Sequence, residues 1–178
     1  MKSKIFTLLL ICLSATSCVK EKLETFYSKQ DTQIDAYMTK ARVSGEDTLD
    51  VVYNKGAVRL IKTEGTGPAL EEGGAVSFYY AGYVFTSNPS SLFATNHQET
   101  AAGAGFILTE DEYQIFEADL RSTELIEGLR NGLIGVKSGE VCEIAFSGKY
   151  GFGDVVFGTI PVNSALLYKI WVIGVSNE

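Results

Sequence analysis

Apolar and polar positions alternate along much of the chain after about residue 50, which is the pattern of half-buried β-strands. Val76, Phe78 and Tyr80 are the clearest example, since their intervening neighbours would lie on the opposite face of a strand. Residues 54–56 (NKG) predict a hairpin or a bulged strand pair around them. The pattern predicts five strands, at residues 51–53, 58–62, 76–81, 140–146 and 165–175.

Helical spacing replaces this alternation near the N-terminus. Ile34, Tyr37 and Met38 recur at intervals of three and one, so they predict a short amphipathic helix over residues 30–41. The polar residues 44–47 are expected to end this helix, because they include a glycine and favour a turn.

A second short helix is predicted between the strands at 76–81 and 140–146. Thr123 is suited to be its N-cap, and Glu127 favours the positive end of the helix. Gly132 and Gly135 are expected to end it. Its apolar stripe consists of Leu125, Ile126, Leu129 and Leu133.

A polar stretch at residues 86–112 is rich in Gly, Ala, Ser and Thr. This composition predicts a long surface loop, with a short strand at residues 106–108. Residues 19–29 are charged and mixed, and they predict a tether that precedes the first helix.

The N-terminal residues have the features of an export signal. Lys2 and Lys4 precede an apolar run at residues 5–13, which is too short to span a bilayer because a span takes about 20 residues. Residues 13–18 (LSATSC) resemble a bacterial lipobox, which implies that Cys18 becomes the lipidated first residue of the mature chain. An ordinary secretory signal followed by an unrelated cysteine is the alternative.

The export signal sets the expected domain organisation and location. Residues 1–17 form the signal peptide, 18–45 the lipidated N-terminus, tether and short helix, and 46–178 one domain. We expect a protein of the bacterial cell envelope that is anchored to a membrane, the outer membrane in particular, through its lipid. The domain would then lie in the periplasm or at the cell surface.

The cysteines leave no pair for an internal disulfide in this domain. Cys12 lies within the signal and Cys18 is the candidate anchor, so Cys142 is the one that remains. Cys142 alternates with Ile144 and Phe146 on one strand face, and we therefore predict a buried structural thiol rather than a nucleophile.

Charge and composition exclude several classes of function. A formal net charge of −7 argues against nucleic acid as a partner, since such a partner needs clustered Lys and Arg. His97 is the one histidine, so neither a cluster of His and Cys ligands for a metal nor a Ser-His-Asp arrangement is within reach. We expect no metal and no cofactor.

A set of glycines and aromatic residues in a particular order resembles the FKBP family of peptidyl-prolyl cis-trans isomerases. The resemblance covers about residues 58–175, and many separate segments contribute to it. They are EGTG at 64–67, VSFYYAG at 76–82, Phe93, ELIEGL at 124–129, GLIGVKSGE at 132–140, YGFG at 150–153, IP at 160–161, NS at 163–164 and LLY at 166–168.

The resemblance implies an α+β fold, in which an antiparallel β-sheet wraps around one short α-helix and an aromatic pocket lies between them. An N-terminal helix and the tether would precede this domain. The implied catalytic residues are Tyr80, Phe93, Ile126, Phe152 and Tyr168. The implied substrate-binding residues are Phe116, Leu125, Leu129, Phe157 and Ile160. The implied partners are proline-containing polypeptides.

The sequence departs from the family pattern at two polar positions. Ala94 replaces an aspartate that commonly follows the first pocket phenylalanine, and Phe152 replaces a tyrosine that commonly offers its hydroxyl to the ligand. Each change removes a polar contact worth about 1 kcal/mol in a dry pocket. The segment between Phe93 and Leu125 is also about a dozen residues longer than in the smallest members.

These observations leave three functional hypotheses. The first is a tethered prolyl isomerase that assists the folding of exported proteins, a reaction that needs no acid, nucleophile or metal. The alternative is an FKBP-like module that binds a peptide or protein in an envelope assembly with little or no catalysis, which the two lost polar groups favour. A purely structural role would predict a pocket filled by the protein's own side chains.

Overall fold

Seven strands and three helices make up the part of the chain that the computed structural model describes, namely residues 2–43, 49–107, 109–121 and 125–177, with side chains from residue 20 onward. The helices are α1 (Lys2–Arg42), α2 (Gln98–Ala104) and α3 (Glu127–Leu133). The strands are β1 (Val51–Asn54), β2 (Ala57–Thr63), β3 (Ala75–Phe85), β4 (Pro89–Thr95), β5 (Phe116–Asp119), β6 (Val141–Phe146) and β7 (Ala165–Ser176). Single 3₁₀ turns lie at Glu110–Tyr113 and Gly148–Tyr150.

The strands form one antiparallel sheet in the order β1-β2-β6-β7-β3, and both β4 and β5 pair with β3. All five strands predicted from the alternation are present. The predicted hairpin is confirmed: Asn54 pairs with Ala57, and the two residues between them have positive φ values, 45° at Lys55 and 86° at Gly56. This turn geometry matches the twist of the strands that it joins. The predicted α+β fold, a sheet around a short helix, is confirmed.

The sheet has an apolar layer on each face. One face packs around α3, and its buried residues include Phe78, Leu129, Leu133, Ile144, Phe146, Leu166, Tyr168 and Ile170. The other face is covered by the C-terminal part of α1, with a cluster of Ile34, Met38, Val58, Leu60, Phe85, Ala145, Ala165 and Leu167. Alternate residues of β6 and β7 therefore serve two different layers, which explains why β6 and the first half of β7 are mostly buried.

Two glycines allow α3 to lie unusually close to the sheet. A Cβ atom at Gly128 would lie 2.2 Å from Cγ of Phe146, and one at Gly132 would lie 2.1 Å from Cγ2 of Ile144. Both glycines face β6 from successive turns of the helix. The close contact fixes the position of Leu129, which lies between them on α3.

Helix α1 is longer than predicted, and the prediction of a tether at 19–29 is wrong. The helix runs from Lys2 to Arg42, and its buried stripe continues from Ile34 towards the N-terminus through Gln30 to Tyr27. Tyr27 and Gln30 are polar at their tips, so the hydrophobic pattern alone did not include them. Residues 44–47, expected to end the helix, lie outside the described residues. Within the described part of the chain, no helix is both long and apolar enough to cross a membrane.

The prediction of a long surface loop at residues 86–112 is also wrong in part. Residues 89–95 form β4, which pairs with the second half of β3, and α2 follows. The side chain of His97 caps α2 by accepting a hydrogen bond from the Thr100 N–H. The strand predicted at 106–108 does not form, since Phe106 and Ile107 lie in no strand and residue 108 lies outside the described residues. Edge pairing with β3 decides the structure here more than local composition.

The ends of α3 differ from the prediction. The helix begins at Glu127 with Ile126 as its N-cap, and the predicted N-cap Thr123 lies outside the described residues. Gly132 is inside the helix and does not end it. Gly135 follows the C-cap with φ 87°, and this left-handed conformation is the glycine signal that ends many helices.

The prediction for Cys142 is confirmed. Its thiol is free and fully buried on β6, on the face that packs against α3. Burial raises its pKa well above the ordinary value for cysteine, and the nearby Glu140 carboxylate adds to this effect. A thiol that stays protonated and has no access to solvent is a core residue rather than a nucleophile.

Candidate functional site

An open cleft lies between α3, the α3-facing side of the sheet and the loop that joins β6 to β7. We call residues 151–164 of this connection the wall loop. The cleft has a volume of about 380 Å³. It is lined by Phe78, Tyr80, Phe93, Ala94, Phe116, Leu125, Ile126, Leu129, Phe152, Phe157, Gly158, Thr159, Ile160 and Tyr168. Side chains of the described residues do not fill it, contrary to what a purely structural role predicts.

The structure brings together all ten residues that the sequence placed in the pocket. Four come from four different strands of the sheet: Tyr80, Phe93, Phe116 and Tyr168. Three lie at or near the start of α3: Leu125, Ile126 and Leu129. Three belong to the wall loop: Phe152, Phe157 and Ile160. Their roles toward a substrate stay predictions.

Tyr168 holds the aromatic side of the cleft together. Its ring lies 6.3 Å from Tyr80, 5.7 Å from Phe93 and 6.0 Å from Phe146, measured between ring centroids. Phe116 meets the edge of Tyr80 at 6.0 Å. Phe146 stacks on Tyr168 with an interplanar angle of 17°, and the other three contacts are tilted or edge-to-face. Tilted and edge-to-face geometries are favoured for aromatic pairs, so the rings form a stable surface against which another ring can pack.

The polar groups of the cleft are neutral. Burial raises the pKa of both Tyr80 and Tyr168, and Tyr80 raises that of Tyr168 further, so neither phenol ionises at physiological pH. The Ile126 N–H precedes the first turn of α3, and among the described residues nothing accepts a hydrogen bond from it. Ala94 and Phe152 add apolar surface where the family resemblance implies an aspartate and a tyrosine. The cleft is therefore suited to an uncharged, largely apolar ligand with a carbonyl oxygen.

The wall loop presents two stacked rings to the cleft. The Phe152 and Phe157 rings lie 4.4 Å apart and are parallel within 4°. Phe157 is 57% exposed, which places it at the rim. Ile160 is buried and exchanges two backbone hydrogen bonds with Phe157, at 2.9 and 3.3 Å. The structure places the Phe157 ring in the cleft wall.

We expect Phe152→Tyr to change the free energy of unfolding by less than about 0.5 kcal/mol, because this half-buried ring borders open space that its hydroxyl can enter. The matched control is Phe146→Tyr. The Phe146 ring is fully buried, so a hydroxyl there lacks solvent and should cost about 1–3 kcal/mol. Urea unfolding of both variants measures the difference. Equal losses would show that Phe152 is a core residue.

Besides Ala94, three lining residues are not among the ten predicted site residues: Phe78, Gly158 and Thr159. Phe78 lies two residues before Tyr80 on the same face of β3, and this alternation could have identified it. Gly158 and Thr159 form the turn between Phe157 and Ile160, for which the sequence carried no separate signal. Trp171 follows Tyr168 by three positions on β7, so it lies on the opposite face of the strand and stacks on His97 at 3.8 Å outside the cleft.

No cluster of three or more His, Cys, Asp or Glu side chains suited to a metal ion occurs among the described residues. The cleft itself offers apolar walls, the phenol hydroxyls of Tyr80 and Tyr168, the hydroxyl of Thr159 and the Ile126 N–H. Such a set can bind, orient and exclude water from a ligand. It lacks a charged group for proton transfer within the lining residues.

Comparison with known families and sequences agrees with this geometry. A family model for the FKBP-type peptidyl-prolyl cis-trans isomerase matches residues 67–173, which includes every residue that lines the cleft. FK506-binding protein 1 of Aspergillus oryzae is 24% identical over 124 residues, and the match covers 68% of this chain and 99% of that protein.

Solved structures share the fold at low sequence identity. A multi-domain immunophilin from Arabidopsis thaliana matches 71% of this chain with a TM-score of 0.57 and 21% identity; this chain spans 45% of that structure. FkpA from Escherichia coli matches 96% of this chain and 70% of its own length, with a TM-score of 0.54 and 19% identity. At these identities, the structural similarity shows that the proteins share a fold.

Proposed function

Because the chain belongs to the FKBP-type peptidyl-prolyl cis-trans isomerase family and has the activity of that family, we propose that its substrates are the X–Pro bonds of exported proteins. The observation that carries the proposal is the open apolar cleft, which all ten predicted residues line. A proline ring is apolar and compact, so it suits a cleft of this size and chemistry. The N-terminal residues support two parts of the proposal, namely that the substrates are exported proteins and that the chain carries a lipid anchor.

The cleft can accelerate X–Pro rotation without covalent chemistry. Rotation is slow because it breaks amide resonance, with a barrier of about 18–20 kcal/mol. In the twisted state the carbonyl is less polar and the nitrogen is pyramidal. A cleft that removes water from the amide therefore favours the twisted state over the planar one. Lowering the barrier by about 5 kcal/mol gives nearly four orders of magnitude in rate.

Individual residues have separate parts in this mechanism. Tyr168, Phe93 and Tyr80 provide the ring surface that grips proline, and Leu129 closes the floor. The Ile126 N–H is placed to donate a hydrogen bond to a carbonyl of the bound peptide, which orients the peptide as the bond rotates. Rotation about the amide bond makes and breaks no σ bond, so the reaction needs no proton transfer.

The test of the proposal uses a full-length unfolded protein rather than a peptide. We expect catalytic amounts of this chain to accelerate the slow, proline-limited refolding phase of a secreted protein several-fold. The phase should return to its uncatalysed rate when Tyr168→Leu replaces the wild type. If the wild type leaves that phase unchanged while remaining folded, the proposed action on polypeptide chains is wrong.

A binding module with weak catalysis is the second candidate, and Ala94 and Phe152 are the observation that favours it. Both positions lack the polar group that the family commonly has, so the ligand loses two contacts. Under this alternative a proline peptide binds the cleft, but its isomerisation is accelerated only weakly. Binding and rate measured on one peptide separate the two candidates.

We further propose that Cys18 carries the lipid that holds the domain at an envelope membrane. The support is the order of Lys2, Lys4, the apolar residues 5–13 and the lipobox-like residues 13–18. We expect Cys18→Ser to abolish incorporation of a labelled fatty acid and to move the protein to the soluble fraction of the envelope. Cys142→Ser is the control, because its buried thiol should have no part in anchoring. Membrane association of Cys18→Ser without attached lipid would contradict the lipid anchor.

A further inference from the structure

The wall loop supplies much of the cleft but has little packing of its own. Among the described residues that line the cleft, five belong to it: Phe152, Phe157, Gly158, Thr159 and Ile160. Residues 154–159 are all exposed, whereas Ile160 is buried. A segment with few buried contacts opens easily unless its ends are held. The position of the wall loop therefore depends on the residues at its base.

The 3₁₀ turn that leads into the wall loop meets the far end of the loop where Gly148 contacts Asn163. A Cβ atom at Gly148 would lie 2.3 Å from the Asn163 carbonyl oxygen, so the two backbones are in direct contact. Asn163 has φ 56°, a left-handed conformation that residues other than glycine seldom adopt. Its N–H donates a hydrogen bond to the Gly153 carbonyl inside the loop. The conformation of Asn163 thus sets the direction in which the loop leaves its base.

Two residues of α1 bind this base from outside the family domain. Gln30 accepts a hydrogen bond at Oε1 from the Gly148 N–H (2.9 Å) and donates one from Nε2 to the Asn163 carbonyl (2.7 Å). The Tyr27 hydroxyl donates to Oδ1 of Asn163 (2.5 Å). Gln30 and Tyr27 are only 8% and 7% exposed. Buried polar side chains that are fully hydrogen-bonded hold their partners in one geometry.

We propose that Gln30 and Tyr27 are positioning residues for prolyl isomerisation, because they hold Asn163 and Gly148 and so place the wall loop against the cleft. The inference rests on the proposed function of the cleft and adds an element that lies before the family domain. The matched family model begins at residue 67, so α1 lies outside the part of the chain that the model covers. Helix α1 packs on the face of the sheet opposite α3, and through these hydrogen bonds it holds the wall loop of the cleft on the α3 side.

Two mild variants test the proposal, with a control of the same chemistry. Tyr27→Phe removes one hydroxyl, and Gln30→Met removes both side-chain hydrogen bonds at similar volume. Tyr37→Phe is the control, because the Tyr37 hydroxyl also joins α1 to the sheet, donating to Glu143 at 2.9 Å, but does not contact the wall loop. All three variants are made in the full chain. Each is measured for kcat/KM on an X–Pro peptide and for amide hydrogen exchange over residues 148–164.

We expect Tyr27→Phe and Gln30→Met to lower kcat/KM about three- to tenfold and to speed exchange in residues 148–164. Tyr37→Phe should change neither quantity. If all three variants behave alike, or if exchange in the loop stays at the wild-type rate, Gln30 and Tyr27 do not position it. An inactive wild type would contradict the proposed function, and the exchange rates would still decide whether α1 holds the loop.

Discussion

Replacing Tyr168 with leucine is expected to lower kcat/KM for X–Pro isomerisation at least about tenfold, equivalent to about 1.4 kcal/mol of transition-state binding. The Tyr168 ring contacts Tyr80, Phe93 and Phe146, and it forms the surface on which proline would pack. Leucine keeps an apolar residue on β7, so the free energy of unfolding should fall by only about 1–2 kcal/mol. A peptide isomerisation assay and urea unfolding measure the two effects.

The control for Tyr168→Leu is Trp171→Leu on the same strand. Trp171 points to the other side of β7 and stacks on His97, away from the cleft. Its loss should also destabilise the protein, because a large ring contact disappears, yet kcat/KM should stay near the wild-type value. Equal loss of activity in both variants would mean that the assay reports stability rather than the cleft.

Gly128→Ala is expected to destabilise the protein by about 2–3 kcal/mol and to lower Tm by about 5–10 °C. The added Cβ would lie 2.2 Å from the Phe146 ring, which is fully buried and has no room to retreat. Helix α3 must then move away from the sheet, and it carries Ile126 and Leu129 of the cleft with it. Isomerase activity should fall together with stability.

Gly103→Ala is the matched control, since Gly103 also lies inside a short helix but a Cβ there meets nothing within 4 Å. Alanine has the higher helix propensity, so this variant should be neutral or gain up to about 1 kcal/mol. Thermal unfolding of both variants is the measurement. If Gly128→Ala is as stable as Gly103→Ala, the close docking of α3 is not important for the fold.

Much of the fold could be predicted because alternation along a strand reports burial directly. The strands β2, β3, β6 and β7 all contain it, and the Lys55–Gly56 turn identifies the first hairpin. Strand β4 was not predicted because it begins with Pro89, Ser90 and Ser91 and shows no alternation, and its structure depends on pairing with β3. Such edge pairing is a tertiary interaction that composition does not encode.

The cleft residues could be predicted because a shared family pattern preserves the order of rings and glycines along the chain. The contacts of Gln30 and Tyr27 with Asn163 could not be predicted from the sequence. They join residues more than 130 positions apart through side-chain hydrogen bonds, which leave no periodic signal. In the helical pattern, Gln30 interrupts the apolar stripe that it in fact continues on the buried face.

The central claim is that the cleft catalyses X–Pro rotation, and isomerisation of a short peptide with an apolar residue before proline tests it most directly. That residue is chosen because Leu125, Ile126 and Ile160 make one wall aliphatic. We predict a rate proportional to enzyme concentration, with kcat/KM of at least about 10⁴ M⁻¹s⁻¹. An isomerisation rate equal to the uncatalysed one, with protein confirmed to be folded, would contradict the account.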